Sequence, residues 1–198
     1  MGTNEQSSRT QSATNRSATQ GIRVVGGLIY GVIAFVVAFV ATIGFFIFRL
    51  SEINETGFQL ARLFPEENIE ALGWVFYNAH TVDITVSTAN GAMGETINYL
   101  EAIPQLNTTV FYAIPAVLLF LAGYVVASRV RSSLSGGAAM AAGASVAIGY
   151  VPLFVAGTFV LKIESFGATA GPQLGAPLLV AGTLFAVVCG GVGGLLGG

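Results

Sequence analysis

Charge is what this chain has least of. Asp, Glu, Lys and Arg make up 9% of its 198 residues, against about 25% in ordinary soluble domains. A soluble domain of this size could not cover its surface with so few charges. The polar outer faces that a buried apolar helix core would need are missing as well. Cysteine is nearly absent: Cys189 stands alone, which excludes an intrachain disulfide and a cysteine metal cluster. His80 is the single histidine, so no paired-histidine zinc motif exists. The terminal GGVGGLLGG is glycine-rich but lacks the lysine and the strand-to-helix setting of a phosphate cradle. Arg9, Arg16 and Arg23, spread along a polar tail, make no nucleic-acid patch. No cofactor, bound metal or nucleic acid is expected.

What is present is apolar and uninterrupted. Four stretches contain no Asp, Glu, Lys or Arg: 24–48, 108–128, 137–161 and 173–198. A bilayer-spanning helix needs about 20 mostly apolar residues. The expected fold is an all-α integral membrane protein with four transmembrane helices and a small mixed α/β extracellular insert between helices 1 and 2. Residues 1–23 are rich in Ser, Thr, Gln and Asn and are expected to be a disordered cytoplasmic tail. The first apolar run is longer than the about 7–15 residues of a secretory h-region, so it reads as a retained helix. Residues 49–107 form the extracellular domain, 129–136 a cytoplasmic turn and 162–172 an extracellular loop.

Orientation follows from the flanking charges. The tail and the 129–136 turn fall on one side with the C-terminus and carry five arginines against one acid, Glu5. The other side carries Arg49, Arg62 and Lys162 against nine acids. Basic residues gather on the cytoplasmic side, so both termini are expected inside, in the plasma membrane.

Within the insert, Phe64-Pro65-Glu66-Glu67 reads as a helix start, with proline and acids suited to the first turn. Ile69, Leu72 and Phe76 continue it with one apolar face. Thr81–Ser87 alternates polar and apolar like a strand, which needs a partner in this loop, in 162–172 or in another subunit. Asn90-Gly91 marks a turn, and a second helix is expected over Met93–Leu100.

Small residues step through the apolar stretches every fourth position, with Gly182, Ala186, Gly190 and Gly194 the longest series. Such faces let helices approach closely, either within the bundle or in a dimer. Pro115 and Pro152 predict kinks. No Asp, Glu, His, Lys or Arg lies inside the four stretches, which argues against a proton-coupled pump. A pore for a neutral solute stays open.

The sharpest local feature is Gly73–Asp83, which gathers Trp74, Tyr77, Asn78, His80 and Asp83. One reading makes His80 and Asp83 a metal or proton-exchange pair. The other places the aromatics at headgroup level as a membrane-interface belt and makes His80 a hydrogen-bonded structural residue. Asn54-Glu55-Thr56 and Asn107-Thr108-Thr109 match the glycosylation acceptor pattern. The phrase Phe76-Tyr77-Asn78-Ala79-His80, with an arginine-rich, lysine-poor and acidic-outside composition, resembles a group of uncharacterised multi-pass membrane proteins of halophilic archaea. The resemblance implies a plasma-membrane location and no particular activity.

The expected function is therefore non-enzymatic: a scaffold or accessory subunit with the lipid bilayer, copies of itself or other membrane subunits as partners. The alternative is an oligomeric channel or transporter component for a neutral or weakly polar solute, with the small molecule unspecified.

Overall fold

The computed structural model describes residues 3–54, 69–87, 93–130, 135–165 and 168–198. Helix α1 runs Thr3–Asn54 and contains a 27-residue apolar span, Val24–Leu50. Helix α4, Thr108–Arg129, supplies the second span. The third, Gly136–Val160, consists of α5 (Gly136–Ala144) and α6 (Ala147–Val160). The fourth, Ala176–Gly197, joins α7 (Ala176–Leu184), a π-helical turn at Phe185–Cys189 and α8 (Gly190–Gly197). The shortest spans have 22 residues, about 33 Å at 1.5 Å per residue, enough for a hydrocarbon core of about 30 Å. Their bounds lie within three residues of those the charge pattern gives. All four are long and apolar enough to cross a membrane, and they turn Val40, Val117, Phe159, Val180 and Leu196 outward.

The tail departs from expectation. Residues 1–23 have the composition of a disordered segment, yet the backbone is helical from Thr3 onward. Once a helix is nucleated, each added residue gains one bond for one residue fixed, and the tail's Ala, Gln and Arg are sound helix formers.

The bundle holds together by backbone contact. On α8, Gly190 lies against Gly143 of α5 and Val146, and Gly193 lies against the Phe120 carbonyl of α4. On α1, Gly31 faces the Val146 carbonyl, while Gly149 of α6 faces the Leu28 carbonyl. A side chain at any of these positions would push two helices apart. This is how helices pack when lipid tails are as apolar as the side chains. The third span breaks at Ser145-Val146, where three-residue bonds tighten the turn: Val146 N–H donates to the Gly143 carbonyl and Ile148 N–H to that of Ser145. The break lies six residues before Pro152, the kink the sequence suggests.

The insert is mixed α/β. Helix α2 spans Ile69–Asn78, β1 Ile84–Ser87, β2 Met93–Ile97 and α3 Tyr99–Ala102. Strands β3 (Ile163–Ser165) and β4 (Ala168–Pro172) come from the loop between the third and fourth spans. Together they make an antiparallel sheet of order β2-β1-β4-β3. Strand β1 thus finds partners in both loops, Ile84 pairing with Ile97 and with Pro172. Residues 93–97 are strand rather than helix, because pairing with β1 overrides a weak local preference. The Phe64–Glu67 helix start and the Asn90-Gly91 turn lie outside the described residues.

Candidate functional site

Helix α2 does not present one apolar face over a wet one. Ala71 and Gly73–His80 are all buried. Trp74, Val75 and Ala79 join a cluster at the insert end with Phe46, Leu50 and Phe111. Phe76, Tyr77 and Val82 instead join the core of the bundle with Leu119, Tyr150 and Phe154. The segment therefore dips into the bundle. His80 touches Tyr150, ten residues inside the Val160 end of its span, and Phe185, nine residues inside the Ala176 end of its own. At 1.5 Å per residue, both place His80 about 14–15 Å below the ends of the spans. Of the aromatics expected at headgroup level, Trp74 alone stays near the helix ends.

Three polar handles at a spacing of three lie along α2 and the turn after it, and each bonds to α6 or to the residue that caps it. Trp74 Nε1 donates to the Leu161 carbonyl at 2.7 Å, capping the end of α6. The Tyr77 hydroxyl donates to the Phe154 carbonyl at 2.7 Å. His80 Nε2 lies 2.7 Å from the Tyr150 hydroxyl. Gly157 makes the middle rung possible, since a Cβ there would land on the Tyr77 hydroxyl. Gly73 does the same for Leu161 at the top.

The turn below α2 closes without loose ends. Val82 N–H donates to the Tyr77 carbonyl and Thr81 N–H to that of Asn78, the paired bonds of a Schellman cap. Thr81 holds the left-handed position, φ 61°, where glycine is usual; its hydroxyl donates to the His80 carbonyl at 2.6 Å. The Asn78 amide donates to the Val82 carbonyl at 2.9 Å, and its oxygen accepts from Tyr99 N–H at 3.0 Å. His80 N–H bonds the Tyr77 carbonyl, and the Phe76 carbonyl lies 2.8 Å from Nδ1 of the His80 ring.

That contact fixes the protonation of the ring. A carbonyl can only accept, so Nδ1 carries the proton and Nε2 the lone pair. The Tyr150 hydroxyl then donates to Nε2. The imidazole is neutral, with both nitrogens committed inside a cage of Phe76, Phe154 and Phe185 at ring distances of 4.6, 4.7 and 5.0 Å. Burial lowers its pKa from the ordinary 6.5 to about 4, only partly opposed by the bond to Phe76.

Asp83 is not part of this cage. Its carboxylate accepts from the Asn98 amide at 3.3 Å, and its carbonyl takes Gln173 N–H at 2.8 Å, anchoring the sheet to the start of the fourth span. The structure separates the His80–Asp83 pair that the sequence juxtaposes. Among the described residues, no three His, Cys, Asp or Glu side chains gather as a metal site. Gly182, Ala186, Gly190 and Gly194 are all buried; Gly182 meets Phe154, and Gly194 meets Ala139 and Gly143. This series is spent inside the bundle. Asn107 is exposed one residue before α4; the rest of the Asn54 sequon lies outside the described residues.

Tyr150, Phe154 and Gly157 escape sequence reasoning as site residues because nothing local joins them to His80. A signal for the descent does exist. Ala71–Val82 is a 12-residue stretch without Asp, Glu, Lys or Arg, and apolar runs of about 10–14 residues occur as buried core helices and as re-entrant or interfacial segments.

The fold and site define a bundle of four long apolar helices whose core is entered from one end by a helix–turn–strand insert. The chain belongs to a family of unknown function, DUF7978, whose model matches residues 6–198. No curated protein and no solved structure matches it.

Proposed function

We propose that this protein is a non-enzymatic plasma-membrane scaffold or accessory subunit, both termini cytoplasmic, with a re-entrant insert that seals the outer half of its bundle. The observation that carries the reading is the ladder from α2 to the third span. Trp74 bonds the residue that caps that helix, Tyr77 bonds its Phe154 carbonyl and His80 meets its Tyr150 through Nε2, and aromatic rings fill the space around His80. A group with both ring nitrogens committed in a dry cage is built to hold, not to turn over substrate. Nine acids against three bases on the insert side support a surface kept hydrated in concentrated salt, as in a halophilic archaeon. Because the Gly182–Gly194 series is spent within the bundle, partner subunits or further copies would engage other faces.

Purified protein in proteoliposomes tests this. Flux of small neutral solutes at the empty-vesicle background is expected, and flux above it would sink the reading. Topology is checked in a Cys189→Ala background: Asn90→Cys should label from outside and Ser133→Cys only after permeabilisation.

A second reading, a channel component for a neutral solute, draws on one observation. The break at Ser145-Val146, the π-helical turn at Phe185–Cys189 and the re-entrant tip converge near Tyr150 and His80. Discontinuous helices of this kind form solute sites in transporters, and π-turns often mark functional positions.

A further inference from the structure

A groove of about 290 Å³ opens beside the sheet, where the third span ends and the fourth begins. Its floor is β1 and β4, with Thr85, Ser87 and Thr169; its wall is the last turn of α6, with Thr158 and Phe159, and Lys162 just beyond it; Gln173 and Leu174 close it. The lining thus offers hydroxyls, an amide and one ammonium, and no carboxylate. The rim has the opposite character: Phe159, on the outward surface of the third span, is 66% exposed, and Leu174, two residues before the fourth span, is 57% exposed. Lys162 Nζ sits 2.6 Å from Glu164 Oε1, a carboxylate outside the groove.

We propose that this groove seats the phosphodiester headgroup of an outer-leaflet phospholipid. Lys162 and the Ser87 and Thr169 hydroxyls meet the phosphate, and a lipid hydrocarbon chain lies along Phe159 and Leu174. Two observations together select this occupant. The polar lining is donor-rich and cationic, which suits a phosphate. The apolar rim is continuous with the surface that faces lipid, so the ligand must be amphiphilic. The level of the groove, at the ends of two spans, is that of the headgroups. Glu164 then acts as the internal competitor for Lys162, occupying the ammonium when the groove is empty.

The inference rests on the bundle spanning a bilayer, which resistance to alkaline carbonate extraction tests separately. If the protein is extracted, the spanning reading fails and this site falls with it. If it stays with the membrane, the groove is tested by titrating full-length protein in detergent with phosphatidylglycerol, diacylglycerol or inorganic phosphate, read by native mass spectrometry. Phosphatidylglycerol should bind and diacylglycerol should not. Lys162→Gln should weaken phosphatidylglycerol binding about tenfold, the worth of one charge-assisted contact. Glu164→Gln should strengthen it. Arg129→Gln removes the same charge at the opposite end of the bundle, where Arg129 lies over the Tyr30 ring, and should leave binding unchanged. Equal weakening by Lys162→Gln and Arg129→Gln overturns the proposal, as does equal binding of diacylglycerol. Lys162-dependent binding of inorganic phosphate without lipid binding overturns the lipid assignment.

Discussion

Removing one oxygen tests the site most directly. Tyr150→Phe deletes the donor that lies 2.7 Å from His80 Nε2 while leaving the ring that packs between Phe35 and Phe154. The ring nitrogen then keeps a buried lone pair with no donor. The other tautomer offers no escape, because it would set Nδ1 lone pair to lone pair against the Phe76 carbonyl at 2.8 Å. Leaving such an acceptor unsatisfied costs about 1–3 kcal/mol, whereas replacing both partners by apolar groups is nearly neutral. In a His80→Leu background the sign should therefore change: the Tyr150 hydroxyl is now the orphan, and Tyr150→Phe should cost nothing or stabilise. The coupling between the two positions should be about 1–3 kcal/mol. The assay is denaturant unfolding of purified protein in detergent followed by fluorescence of Trp74, the only tryptophan. Its stacking on Tyr99 and bond to Leu161 make it report the docking of α2. Equal costs for Tyr150→Phe in both backgrounds would refute the hydrogen-bond argument.

Three further outcomes follow from the same contacts. The folded His80 titrates at about 4 and an undocked one at 6.5, so the undocked state binds more protons between these values. Stability is complete above 6.5 and falls with pH through that window by about 3 kcal/mol in all; the wild-type curve minus that of His80→Leu isolates this slope, and identical curves would exclude it. Gly190→Leu would drive a side chain into Val146 and the Gly143 backbone, so it should lower the yield of folded monomer in size-exclusion chromatography, with an overpacking cost of about 1–3 kcal/mol or more; a variant that folds normally and alters only assembly would place this face outside the bundle. Gly157→Ala puts a methyl on the Tyr77 hydroxyl, and adding Tyr77→Phe should recover part of the lost stability; a double variant no more stable than Gly157→Ala alone would show that Tyr77 is not the obstruction.

The spans were legible in the sequence because a charge-free run long enough to cross a bilayer is a local property. The glycine steps were legible too, and reading them as contact between neighbours in the bundle agrees with Gly190 against Gly143. Pairing across distance was not. Strand β4 reads ATAGP, which has little strand preference, and it becomes a strand because Ile84–Ser87 lies beside it. The candidate site divides in the same way. Trp74, Tyr77, Asn78 and His80 stand within seven residues of one another and were visible as a cluster. The partners of Trp74, Tyr77 and His80, namely Leu161, Phe154 and Tyr150, lie 70 or more residues on, in or just past a helix whose apolar composition names none of them as a site residue. Asp83 was grouped with them by proximity alone, and the turn at Thr81 sends it outward to the sheet instead.

The in-folded insert changes what an absence of charge in the spans can mean. Counting Asp, Glu, Lys, Arg and His within the four apolar stretches gives none, yet His80 sits deep in the bundle, carried there by the insert. An imidazole is the side chain that can make this descent at modest cost. It is neutral at ordinary pH, and its two nitrogens divide into one donor and one acceptor. Here the donor finds the Phe76 carbonyl at the end of its own helix, and the acceptor finds a hydroxyl on the helix opposite. A lysine or carboxylate would carry charge into the same cage, and a phenylalanine would leave the Phe76 carbonyl and the Tyr150 hydroxyl without His80 as their partner. His80 therefore joins the tip of the insert to the bundle, closing a gap that apolar side chains alone could fill but not satisfy.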